Sequence, residues 1–138
     1  LCRRGAGLAS AQAGVFRSVD WTLVAGPPNL TLIGTSATTG AGNALDNVLD
    51  GSSNVAANVL AGGKGNDTYR VGRGDTVVEG AGEGTDTVKS SITWTLAAEI
   101  ENLTLTGGAL INGTGNSLDN VIIANTVKTI PTGGAGND

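Results

Sequence analysis

The sequence predicts an all-β fold, a right-handed parallel β-roll or β-solenoid with glycine-rich turns. Three observations support this: 23 glycines with only 3% aromatic residues in a chain of 138, a long internal repeat, and a nine-residue glycine pattern within it. Aromatic residues supply much of the buried area of ordinary cores, so their shortage favours many short apolar strands. Hydrophobic residues make up 39% and charged residues 14% of the chain, which argues against simple disorder.

The long repeat has an offset of 73 residues. Residues 19–48 align without a gap to residues 92–121, and 16 of these 30 aligned positions are identical. Downstream, GGKGND at 62–67 matches GGAGND at 133–138 at an offset of 71. The second copy has therefore lost two residues.

These offsets define the expected domain organisation. Residues 15–138 form one repeat domain, with copies at about 19–91 and 92–138. Residues 1–14 do not fit the repeat, and we expect them to be a non-repeat segment. The chain has no initiator Met and stops inside a repeat motif, so we expect it to be a fragment of a longer protein.

A nine-residue pattern occurs three times in the middle of the chain, in GGKGNDTYR (62–70), VGRGDTVVE (71–79) and AGEGTDTVK (81–89). Each copy has glycine at positions two and four. The first and third have aspartate at position six, which gives Asp67 and Asp86. Alternate residues of a strand face the same side, so the bulky residues at position eight are expected to face the core: Tyr69, Val78 and Val88.

This pattern resembles the RTX, or haemolysin-type, nonapeptide G-G-x-G-x-D-x-U-x, in which U is a large apolar residue. The resemblance covers about residues 15–138. It implies a β-roll in which loops two apart in sequence stack and hold Ca²⁺ between them, here 62–67 and 81–86. The ligands that it implies are the Asp67 and Asp86 carboxylates and four backbone carbonyls, those of Gly62, Lys64, Gly82 and Gly84.

The chemistry of these loops suits a calcium ion. Ca²⁺ takes six to eight oxygen ligands, and glycine turns with one aspartate each offer carbonyls and charge. Without the ion the two carboxylates would repel each other, so we expect empty loops to be disordered and calcium binding to drive folding. The loops are one residue further apart than two nonapeptides, so we expect Gly80 to form a bulge. The alternative is that both aspartates are ordinary turn residues.

Composition excludes several functions. The formal charge is −4, from 12 acidic and 8 basic residues, and no basic cluster indicates nucleic-acid binding. Histidine is absent and Cys2 is the single cysteine, so His-dependent zinc sites, His-based nucleophile pairs and internal disulfides are excluded. No apolar run is long enough to predict a membrane span.

The resemblance implies a non-catalytic, calcium-binding repeat module of a secreted bacterial protein, extracellular or at the cell surface. Such a module would fold on binding Ca²⁺ outside the cell, and missing C-terminal regions would engage type I secretion machinery. The chain contains no catalytic motif, so we expect it not to be an enzyme. Two alternatives stay open: a structural or adhesive surface repeat of a large adhesin, and a C-terminal accessory region of a secreted enzyme whose active site lies elsewhere.

Several other features have simpler interpretations. Asp46 and Asp119 are expected to form turns rather than bind metal. The RGD at 73–75 is explained by the repeat better than by adhesion. Trp21 and Trp94 occupy the same register of the repeat, which favours core or edge packing over a carbohydrate-stacking platform.

Overall fold

The computed structural model describes residues 15–25 and 28–138, so the expected non-repeat segment 1–14 lies outside the described residues. Within these ranges there is no helix, and hence none that could cross a membrane. Thirteen short strands are present: β1 (Val15–Arg17), β2 (Trp21–Thr22), β3 (Asn29–Leu32), β4 (Thr39–Ala41), β5 (Val48–Asp50), β6 (Val59–Ala61), β7 (Thr68–Val71), β8 (Thr76–Val78), β9 (Thr87–Ser90), β10 (Trp94–Thr95), β11 (Asn102–Leu105), β12 (Gly113–Thr114) and β13 (Val121–Ile123).

The strands form two faces of a coil. All the odd-numbered strands follow one another in a seven-stranded sheet of order β1-β3-β5-β7-β9-β11-β13. The opposite face contains a four-stranded sheet, β2-β4-β6-β8, and the separate pair β10-β12. Every strand pair is parallel. The prediction of an all-β parallel solenoid is therefore confirmed.

The 73-residue repeat corresponds to four coils of unequal length. Register partners in the large sheet run from Val15 to Leu30, Leu49, Tyr69 and Val88. These steps are 15, 19, 20 and 19 residues long, and together they make the offset of 73. The next two steps, from Val88 through Leu103 to Ile122, are again 15 and 19 residues. The 73-residue repeat thus arises because the same series of coil lengths begins again in the second copy.

The core is a column of aliphatic side chains around one tyrosine. Leu30, Leu49, Tyr69, Val88 and Leu103 are register neighbours on successive coils, and all are fully buried. Full burial of a Leu or Val side chain contributes about 1.5–3 kcal/mol. Burial of this column therefore stabilises the stacking of the coils.

One predicted core position is wrong. Tyr69 and Val88 are buried as expected, whereas Val78 is 49% exposed and its neighbour Val77 is only 4% exposed. The middle nonapeptide is one residue short before Asp75, so its apolar residue also comes one position early. The reliable unit is Asp-Thr-apolar, present as 67–69, 75–77 and 86–88.

The extra residue in this coil lies in a turn. Strand β8 ends at Val78, and Gly80 follows in the connection to β9. The Gly80 N–H donates to Glu83 Oε2 at 3.0 Å, and the Glu83 N–H donates to the Gly80 carbonyl at 3.3 Å. Two hydrogen bonds therefore close a tight turn at the place where a bulge was expected.

Candidate metal centre

The two glycine-rich loops lie on neighbouring coils, as the pattern predicts. The Gly65 N–H donates to the Glu83 carbonyl at 2.8 Å, and the Thr85 N–H donates to Asn66 Oδ1 at 2.9 Å. Gly84 allows this approach, because a Cβ at that position would overlap the Gly65 carbonyl oxygen. Loop 62–67 is thus stacked directly on loop 81–86.

A ladder of acidic side chains runs along this edge of the solenoid. Asp67 Oδ1 accepts the Asn47 N–H of the preceding coil at 2.7 Å, and Asp86 Oδ1 accepts the Asp67 N–H at 2.8 Å. Glu101 continues the ladder, since its Oε2 accepts the Asp86 N–H at 2.8 Å. Each acid uses one oxygen to connect two coils, which leaves its second oxygen for another partner.

A third carboxylate completes the cluster. Asp67, Glu79 and Asp86 each offer an oxygen, and the three oxygens lie within 4.8 Å of one another. Asp67 and Asp86 are each only 1% exposed. Asp67 Oδ2 and both Glu79 oxygens are buried and have no hydrogen-bond partner in the described part of the chain. Buried carboxylate oxygens without partners are costly, so this arrangement calls for a proton or a cation.

The pKa values of all three groups are raised. Burial is the largest cause for Asp67, whose pKa rises from 3.8 to about 6 despite the opposing hydrogen bond from Asn47. Burial, followed by the charges of Asp86 and Asp67, raises the pKa of Glu79 from 4.5 to about 8. The pKa of Asp86 is also raised, mainly by burial. Glu79 therefore retains its proton at neutral pH in the metal-free cluster, and a cation would have to displace that proton.

The donor set fits a hard divalent cation. The three side chains provide only oxygen, and Ca²⁺ is bound in proteins by carboxylates, carbonyls and water. Three ionised carboxylates more than balance its charge. Six to eight ligands are needed, so backbone carbonyls or water would have to supply those that the three carboxylates do not.

The four carbonyl ligands implied by the resemblance stay predictions. Gly62 is buried, whereas Lys64, Gly82 and Gly84 are exposed. The Gly62 carbonyl oxygen lies beside Gly42, in the coil before. Loop stacking thus brings the two predicted aspartates together, and Glu79 adds a third carboxylate to them.

Sequence reasoning missed Glu79. It occupies the unspecified last position of the middle nonapeptide, directly after β8. The available signal was an acidic residue at the start of the connection between β8 and β9, within the longer spacing from Asp75 to Asp86. Because a coil closes on itself, the end of β8 returns the chain to the edge that holds Asp67.

Other aspartates connect coils and do not join this cluster. Asp46 Oδ1 accepts the Asn66 N–H, and Asp119 Oδ1 accepts the Asn137 N–H, both at 2.8 Å. Asp75 is buried, and its two oxygens accept hydrogen bonds from Asn58 and from the Gly72 N–H. The aspartate of the RGD sequence therefore has a structural role.

The two tryptophans pack as expected. Trp21 and Trp94 are half-buried and contact the hydrophobic core. The Arg17 guanidinium lies 3.9 Å above the centre of the Trp21 ring, a distance typical of a cation–π contact.

Comparison with known proteins gives one partial match. No protein-family profile and no solved structure matches the chain. The chain is similar to the endo-1,3-1,4-beta-glycanase ExsH of Rhizobium meliloti (strain 1021), with 38% identity over 82 residues, which are 59% of this chain. The matched segment spans 17% of the length of that glycanase. The similarity thus concerns one part of a much larger protein.

Proposed function

We propose that this chain is a non-catalytic, calcium-binding solenoid module of a secreted bacterial protein. The observation that carries the proposal is the cluster of Asp67, Glu79 and Asp86, in which three buried carboxylate oxygens have no hydrogen-bond partner among the described residues. Calcium, when bound, would supply the positive charge that these carboxylates lack. Asp67 and Asp86 would hold it from two successive coils, and Glu79 would contribute the third carboxylate.

The same residues couple binding to folding. Asp67 and Asp86 each accept a backbone N–H from a neighbouring coil, so a side chain fixed by a cation also fixes the stacking of coils. In the unfolded chain these carboxylates are far apart and cannot form the site. The module would therefore stay unfolded at the low calcium level inside a cell and fold outside, as suits export through type I secretion machinery.

A second candidate is a role as an accessory region of a larger secreted enzyme. The observation that favours it is the similarity to the glycanase ExsH, of which the matched segment is a small part. In that case calcium binding would be retained and catalysis would depend on another part of the protein. The full-length gene would distinguish it from an adhesin repeat, since an upstream catalytic domain and many further solenoid copies are different outcomes.

Calorimetry of the whole chain tests the calcium site. We expect Ca²⁺ to bind with measurable heat, and Mg²⁺ to bind much more weakly because it requires near-ideal octahedral geometry and retains its waters. Asp67→Asn, Glu79→Gln and Asp86→Asn preserve side-chain size, and each should weaken binding by about tenfold or more.

Asp119→Asn is the matched control, because Asp119 is exposed, occupies the place of Asp46 in the second repeat copy and is outside the cluster. Its calcium affinity should equal that of the wild type. Absence of heat with wild type, or equal weakening by the control, would overturn the proposal. Normal binding by Glu79→Gln alone would remove Glu79 from the ligand set.

A further inference from the structure

A basic groove lies at the ends of several strands, away from the acidic cluster. It has a volume of about 340 Å³ and crosses the ends of strands β5, β7, β9 and β11 on four successive coils. Neighbouring strands are about 4.8 Å apart, so a groove across four of them extends roughly 14 Å along the solenoid axis. Its lining residues are Ser52, Arg70, Val71, Lys89, Ser91 and Thr106.

Two cations lie side by side in this groove. Arg70 and Lys89 are direct register partners on β7 and β9, and both are exposed. Like charges directly opposite each other on neighbouring strands are destabilising. On the other side of Arg70 is Asp50, whose Oδ1 accepts hydrogen bonds from the N–H and hydroxyl of Ser52. Asp50 is thus a register partner of Arg70 alone, the repulsion between Arg70 and Lys89 remains, and an anionic ligand would compensate for it.

Hydroxyl groups surround the two cations. Ser52, Ser91 and Thr106 line the groove, and hydroxyls both donate and accept hydrogen bonds. A ligand that matches this lining combines a carboxylate with hydroxyl groups along an extended chain. We propose that the groove binds an acidic oligosaccharide, with Arg70 and Lys89 on its carboxylates and the hydroxyls on its sugar rings.

A nucleic acid matches the groove less well. Single-stranded nucleic acid is bound through stacking on aromatic side chains along a continuous basic track. None of the six lining residues is aromatic, and only two of them are cationic. An acidic oligosaccharide needs neither feature, because its charges are spaced between neutral hydroxyl groups.

Binding of defined oligosaccharides tests this inference. Isothermal titration of the whole chain would compare an oligomer of glucuronic acid with a glucose oligomer of equal length, at constant ionic strength. The acidic oligomer should bind and the neutral one should not. Arg70→Gln and Lys89→Gln should each weaken binding by about tenfold, as expected for the loss of a charge-assisted hydrogen bond. Lys128→Gln is the matched control, since Lys128 is exposed and outside the groove.

The outcomes separate this site from the calcium site. Arg70→Gln and Lys89→Gln should retain wild-type calcium heats, whereas Asp67→Asn should weaken calcium binding and leaves every residue that lines the groove unchanged. Equal binding of the neutral oligomer, equal loss in Lys128→Gln, or tighter binding of inorganic sulfate or single-stranded DNA than of the acidic oligomer would overturn the inference. Absence of any binding by the acidic oligomer would overturn it too.

Discussion

The same ladder of side chains is built with asparagine in some coils and aspartate in others. Asn120 donates its amide to the Ile100 and Glu101 carbonyls and to Asn116 Oδ1, at 3.1–3.2 Å. Asn47 likewise donates to the Pro28 carbonyl and to Asn43 Oδ1, both at 3.0 Å. These asparagine positions are complete, since donors and acceptors are both provided by the protein.

The aspartate positions are incomplete. Asp67 and Asp86 each accept one backbone N–H from the preceding coil, whereas Asn47 and Asn120 accept one from their own loop. A carboxylate also has no N–H to donate to the preceding coil. Asp67 Oδ2 is left buried and without a partner in residues 15–25 and 28–138. The difference of one atom type thus separates coils held by protein hydrogen bonds alone from coils that require a proton or a cation.

The largest expected effect comes from breaking the close approach on which the stacking of the two glycine-rich loops depends. In Gly84→Ala the new Cβ would overlap the backbone carbonyl of Gly65, so one loop must move. We expect a loss of about 2–4 kcal/mol in the free energy of unfolding, at or above the upper range for overpacking. Urea unfolding with calcium present is the measurement.

Gly108→Ala serves as its control, because a Cβ at Gly108 would meet no atom within 4 Å. The control should unfold within about 0.5 kcal/mol of the wild type. Equal stability of the two variants would show that the loops do not need to stack this closely.

A change of asparagine to aspartate should destabilise a coil whose asparagine makes all its hydrogen bonds within the protein. Asn120→Asp removes the amide that donates to three oxygens and places a carboxylate beside them. We expect destabilisation by about 2–3 kcal/mol, the cost of leaving buried acceptors without donors. Chemical unfolding would be compared with Asn112→Asp, which alters an exposed side chain. Equal effects of the two substitutions would mean that the amide of Asn120 is dispensable.

The fold could be predicted from sequence because its signal is periodic. Glycine turns and apolar positions identified the parallel solenoid, the burial of Tyr69 and Val88, and the stacking of 62–67 on 81–86. The burial of Val77 in place of Val78 depended on a loop that is shorter by one residue, which a fixed nine-residue frame cannot represent.

The site was only partly accessible to sequence reasoning. Asp67 and Asp86 are marked by the motif, whereas Glu79 reaches them only through the closure of the coil. Glu101 continues the acidic ladder after a coil of 15 residues, where the sequence contains no glycine-rich loop. The length of each coil determines which residues become neighbours on successive coils, and irregular coil lengths have no local sequence signature.

The acidic cluster should make calcium-free stability depend on pH. Folding raises the pKa of Asp67 to about 6 and that of Glu79 to about 8, so the folded state binds protons more tightly than the unfolded state. The stability that protonation of Asp67 and Glu79 gives to the folded state is fully present below about pH 4. It is lost as the pH rises through about 6 and then about 8. Unfolding in a chelator at pH 5, 6.5 and 8 would be compared with the double variant Asp67→Asn, Glu79→Gln. The wild type should lose stability relative to this variant as pH rises, and parallel curves would contradict the cluster.

The smallest expected effect is a gain in stability. At pH 8 in a chelator, Asp67→Asn keeps Oδ1 for the Asn47 N–H and replaces a repelling carboxylate oxygen with an amide that can donate to Glu79 or Asp86. We expect the calcium-free chain to be more stable by about 1 kcal/mol, and added calcium to stabilise it less than it stabilises the wild type. Asp119→Asn, at an exposed position of the second repeat copy, should change neither quantity by more than about 0.5 kcal/mol. If Asp67→Asn instead destabilises the calcium-free chain, the carboxylate is required by the fold itself, and the distinction between asparagine and aspartate positions does not mark the need for a cation.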